Sequence, residues 1–224
     1  MFGYHLKVLI LFTHIPQKYV NFTHTTIQNK EPLTAILLPI FAVLIGFSIA
    51  IIAKPTINSS IKLLLSFSGA FLLAITIFEF LPEIYVTQNK EIGIYIIAGL
   101  LVQILLEFGS KGAEHGHTHQ KNTTHFPWFL FISLCVHALI EGFPISENEH
   151  ILYGIVVHKV PIAIIISSFL LLSKMKLWQS IIFIIVFALM TPLGSFINQQ
   201  EFILESYKAP INAFVVGVLL HVST

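Results

Sequence analysis

The sequence predicts an all-α, polytopic bundle of transmembrane helices, and three observations carry that expectation. Hydrophobic residues make up 55% of the 224 positions, charged residues 10%, and the mean hydropathy is +0.85. A soluble domain carries about a quarter charged residues. Apolar runs near the roughly 20 residues that cross a bilayer recur along the chain. The lysines in the short loops between them are unevenly shared, as they are when one side faces the cytoplasm.

In order, spans are expected near 34–53, 62–85, 91–109, 127–145, 150–172, 177–198 and 209–224. Lys54-Pro55 ends the first and Lys62 opens the second, which closes near Pro82-Glu83. The third runs from Ile92 into Glu107-Phe108-Gly109. Residues 110–126, SKGAEHGHTHQKNTTHF, form the polar connector before the fourth. Lys174 and Lys176 separate the fifth and sixth. The seventh begins near Pro210 and is expected to be incomplete at Thr224. Residues 1–33 are read as an N-terminal extension of unknown role and 34–224 as the transmembrane domain. Loops one, three and five hold Lys54, Lys62, Lys111, Lys121, Lys174 and Lys176, against Lys90 and Lys208 in the others. Those three loops are therefore expected on the cytoplasmic side.

Some classes drop out early. The formal net charge of +1 argues against a nucleic-acid partner. Cys135 is the single cysteine, so no internal disulfide framework forms. The N-terminal MFGYHLKVLILFTHIP is a poor secretory signal, with a short apolar run and no clean small-residue cleavage site.

Chemistry concentrates in spans four and five. Ionisable side chains at membrane depth are costly and each calls for a reason. In SLCVHALIEGFP, residues 133–144, His137 and Glu141 stand four apart and share a helix face. In YGIVVHKVPIAIIISS, residues 153–168, His158 and Lys159 precede Pro161. Pro161 withholds the backbone donor for the Val157 carbonyl, and a kink there would aim His158 inward. Imidazole with carboxylate suits Zn²⁺ and other first-row divalent ions. The bland reading of His137 and Glu141 is an interhelical hydrogen bond without an ion. Lys159 projects about 100° from His158. It is open to three roles: counter-ion to Glu141, stand-in for a second metal, or a side chain snorkelling to the interface.

These elements together resemble the ZIP family of divalent metal transporters. His137-Ala138-Leu139-Ile140-Glu141-Gly142 resembles the family's fourth-span element, and His158-Lys159-Val160-Pro161-Ile162 its fifth. SFSGAFLLAITIFEFLPE, the Glu107…HGHTH run, TPLG at 191–194 and AFVVGVLLHVST at 213–224 follow in family order. The resemblance covers 34–224 and implies eight spans, of which about seven are present. It implies a metal site of His137, Glu141 and His158. It also implies that Ala138, Lys159 and Ile162 have removed the second metal position, with Lys159 as a tethered cation in its place. Glu79 and His221 are auxiliary candidates for the ion pathway. His115, His117 and His119 alternate with small residues on the connector and suit loose metal capture.

The expected function is divalent metal transport, most of all zinc uptake into the cytoplasm. Fe²⁺, Mn²⁺, Co²⁺ and Cd²⁺ remain open on ligand type, and no organic cofactor is expected. The expected partners are the metal ion and the lipid bilayer, with a homodimer left open. A bacterial-type inner membrane or a plasma membrane is the expected location. A membrane metal-binding or sensor protein is the alternative. An intramembrane metallohydrolase ranks lower, because Ala138 follows His137 and H-E-x-x-H is absent; the chain is not expected to be an enzyme.

Overall fold

The computed structural model describes residues 33–53, 59–86, 91–110, 126–146, 148–173, 175–200 and 205–223. Among these, every regular element is helical. The helices are α1 (Leu33–Ala53), α2 (Ser59–Ile75), α3 (Leu81–Tyr85), α4 (Ile92–Ser110), α5 (Trp128–Gly142), α6 (Glu149–Leu172), α7 (Leu177–Asn198) and α8 (Glu205–Val222). A π-helical turn, Thr76–Phe80, joins α2 to α3, so that Ser60–Tyr85 forms one span. Among the described residues, six helices are long and apolar enough to cross a membrane, and Tyr207–Val222 is a shorter apolar helix. The bounds agree closely with the seven expected segments. The extension 1–33 lies outside the described residues except for its last position, and loop 111–125 lies outside them entirely.

The departures from α geometry have local causes. Pro82 has no N–H for the Phe78 carbonyl, and its ring would press on that group. The chain widens into the π turn just before it. Thr76 adds a hydroxyl bond back to the Leu72 carbonyl at 2.8 Å. At the end of α5 the chain tightens into a 3₁₀ turn, Phe143–Ser146, around Pro144. Asn148 then caps α6, accepting from the backbone N–H groups of His150 and Ile151 at 3.0 and 3.2 Å. Its amide also donates to Glu83 Oε2 at 3.0 Å, tying the end of the second span to the start of the fifth. Pro161 sits inside α6, which continues past it as one helix.

Two apolar clusters hold the helices together. One gathers Leu72, Phe80, Ile84, Ile92, Ile151 and Ile155 with the valines of α8. The other gathers Val43, Leu134, Ala138, Ile162, Ile166 and Phe183 from α1, α5, α6 and α7. Accordingly α4 packs on α8, α1 on α6, and α5 on α7. α6 is the central element: 67% of its most apolar stretch is buried, against 17% for α4. The α5–α7 seam is closed by glycine, because a Cβ on Gly142 would overlap the Thr191 carbonyl and one on Gly194 the Leu139 carbonyl. The Thr191 hydroxyl donates to the Ala138 carbonyl at 3.0 Å across it. This close approach fixes the helix that carries His137 and Glu141.

Candidate metal centre

The i, i+4 spacing on α5 does what helix geometry demands. His137 Nε2 and Glu141 Oε1 stand 3.0 Å apart, and each side chain is 1% exposed. Two nucleophilic atoms facing each other at that distance need a positive particle between them, a proton or a metal ion. The ligand-to-ligand edge of a tetrahedral zinc site is about 3.3 Å, from bond lengths of about 2.0–2.1 Å. The pair therefore has nearly the bite of two zinc ligands.

Lys159 reaches the same carboxylate from α6. Its Nζ donates to Glu141 Oε2 at 2.9 Å, and the residue is 1% exposed. The ammonium also lies 4.9 Å from the centre of the Phe187 ring of α7, a cation–π contact. Burial at this level excludes snorkelling and leaves two roles, counter-ion to Glu141 and stand-in for a second metal. Glu141 and Lys159 cancel in charge, which lets both ions remain in a low-dielectric interior. Removing either partner alone would leave a buried charge.

His158, one position before Lys159, turns elsewhere. Its Nδ1 lies 3.4 Å from the Ser68 hydroxyl of α2, and both residues are buried. Among the described residues, no three His, Cys, Asp or Glu side chains stand close enough together to hold one metal ion. The structure thus joins His137, Glu141 and Lys159 directly, with His158 as a near neighbour. His137 has a partner on its far side as well: Nδ1 lies 3.2 Å from Gln103 Oε1 of α4, and Gln103 is 1% exposed.

The auxiliary candidates separate. Glu79, on the π turn, is exposed and joins neither group. His221 of α8 meets Glu107 of α4, its Nε2 2.5 Å from Oε2, with side chains 24% and 27% exposed. The connector histidines His115, His117 and His119 lie outside the described residues.

A His–Glu pair at a buried seam of apolar helices suits cation handling, and the sequence comparison names the class. The family model "ZIP Zinc transporter" matches residues 107–224, more than half of the chain. The chain belongs to the ZIP zinc transporter family. As a ZIP protein it is an integral, multi-pass membrane protein of a divalent-metal transporter family. No curated protein and no solved structure matches it. The match includes α5, α6, α7 and α8, hence His137, Glu141, His158, Lys159 and His221. Gln103, Ser68 and the Glu107 contact were not anticipated. Gln103 carried one signal, an uncharged polar side chain in the middle of an apolar span.

Proposed function

We propose that this ZIP protein carries zinc into the cytoplasm through a site formed by His137, Glu141 and His158, with Lys159 as its tethered cation. The observation that carries the reading is the buried Glu141 carboxylate, shared between the His137 imidazole and the Lys159 ammonium. An entering Zn²⁺ takes the Nε2–Oε1 edge, and His158 supplies the third ligand through Nε2 while its Nδ1 stays on Ser68. Water completes a tetrahedron. Lys159 holds Oε2 throughout, and the positive charge it adds keeps binding weak enough for release. Lys159 also stands where a second ion would otherwise be needed, so one ion moves at a time.

The remaining expectations fit around this step. His221, with Glu107, forms a second station for the ion, and Glu79 a contact at the exposed end of the second span. His115, His117 and His119 would collect the ion on the loop beyond. Fe²⁺, Mn²⁺, Co²⁺ and Cd²⁺ compete on ligand chemistry. A bacterial-type inner membrane or plasma membrane is the setting, and a homodimer is compatible with the exposed apolar faces. Lys159 on Glu141 also favours a second reading: a membrane protein that binds metal and does not transport it, since the carboxylate is already neutralised.

Zinc flux into proteoliposomes tests both. His137→Ala and His158→Ala are expected to lower flux to the protein-free background while the protein still inserts. Wild-type flux in His137→Ala would remove the site. Zinc binding by the wild type without flux would select the second reading.

A further inference from the structure

We infer that Gln103 and Ser68 are positioning residues that set the two site histidines, each by gripping its ring at Nδ1. The inference rests on the site reading above and assigns work to two side chains outside it.

The Ser68 hydroxyl has one proton, which it donates to the Leu65 carbonyl at 2.8 Å. Toward His158 it offers only lone pairs. The 3.4 Å contact with Nδ1 therefore requires the ring proton on Nδ1, and Nε2 keeps its lone pair. Gln103 acts alike on His137: its Oε1 accepts from Nδ1–H at 3.2 Å, and Nε2 is the nitrogen that faces Glu141. Nδ1 of each imidazole is thus engaged, which makes Nε2 the ligating nitrogen, on His137 once a metal replaces the proton shared with Glu141. A hydrogen bond to the far nitrogen of a ligating histidine fixes its ring and tautomer, and its loss costs about 10–100-fold in metal affinity.

The placement adds a second consequence. Gln103 lies on α4 and Ser68 on α2, while the histidines lie on α5 and α6. Each grip crosses a helix–helix seam, α4 on α5 and α2 on α6. Both side chains are buried, Ser68 at 0% and Gln103 at 1% exposure. A buried amide with no task would be costly in an apolar span. The shorter Gln103 contact is the stronger of the two, so its removal has the larger effect.

Zinc uptake by proteoliposomes carrying the full chain tests this, together with equilibrium zinc binding by the solubilised protein. Gln103→Leu keeps the bulk and deletes the acceptor; KM and the zinc Kd are expected to rise about 10–100-fold, with maximal flux retained. Gln103→Glu restores an acceptor oxygen and is expected to return both toward wild type. Ser68→Ala is expected to shift them in the same direction by less, and Ser68→Thr to recover them. Unchanged KM and Kd in Gln103→Leu and Ser68→Ala would overturn the inference. So would an equal loss of maximal flux in Gln103→Leu and Gln103→Glu at constant KM, which would mark a packing role. His137→Ala in the same assay separates the two claims. A silent His137→Ala defeats the site reading and this inference with it. An inactive His137→Ala beside a wild-type Gln103→Leu defeats the inference alone.

Discussion

Among the described residues, a histidine–glutamate contact at full burial and another at partial exposure stand in different surroundings. His137–Glu141 is built within one helix, is 1% exposed on both sides, and is neutralised by Lys159. His221–Glu107 is built between α8 and α4 and is 24% and 27% exposed. In the first, desolvation makes every charge depend on its partner. In the second, partial solvation weakens the interaction and lets each group find alternatives. Depth, rather than the pair of residue types, separates a site that must be charge-balanced from one that can trade partners freely. The α4 helix links them, because Gln103 and Glu107 are one turn apart and share a face. Gln103 meets His137, and Glu107 meets His221.

The largest expected effect comes from breaking the balance at the buried contact. Glu141→Gln leaves the Lys159 ammonium buried beside a neutral amide. Breaking a buried pair on one side costs about 3–5 kcal/mol, so thermal unfolding in detergent should shift to clearly lower temperature, and zinc flux should vanish. Adding Lys159→Met removes the stranded charge. The double variant should regain most of the stability and none of the flux. A Glu141→Gln protein as stable as the wild type would mean that Lys159 is not confined to this carboxylate.

Acid should produce the next effect. Protons compete with the metal for the imidazoles and the carboxylate. As pH falls, a larger share of ligands is protonated and flux falls with it. The effect reverses on return to neutral pH. Uptake measured at saturating and at low zinc sharpens this: competition raises KM and leaves maximal flux, since enough metal displaces the proton. A rise of flux with acidification would show that protons drive the cycle instead of competing for the site.

How far the sequence revealed this arrangement depends on which interactions are local. The spans were legible to within a few residues, because length and hydropathy are properties of the segment itself. His137 with Glu141 was legible for the same reason: four residues on a helix set the distance. Lys159 was not, since its stem can reach either the interface or a neighbouring helix, and only the packing of α6 decides. Nothing in the sequence singles out Ser68 within a serine-containing helix, and its contact with His158 exists because α2 packs on α6. Gln103 and Glu107 were visible as polar residues on one face of an apolar span. Which helices that face met depended on tertiary structure. The π turn could have been read from Pro82, which cannot bond to the Phe78 carbonyl.

The smallest expected effect concerns the half-exposed contact, and it is the direct test of the contrast in depth. His221→Ala or Glu107→Ala removes one partner and lets water take its place. Stability should change by less than about 1 kcal/mol. Flux should fall by a few-fold at most, because the residues act on the ion's passage and not on its principal binding. A double-mutant cycle on flux and unfolding gives the coupling directly. For Glu107 with His221 it should lie at or below about 1 kcal/mol, whereas the Glu141–Lys159 cycle should give several times that. Equal couplings would place the two contacts in equivalent surroundings and remove depth as the variable that distinguishes them. A His221→Ala protein without any flux would go further and make the outer contact, at its partial exposure, as indispensable as the buried one.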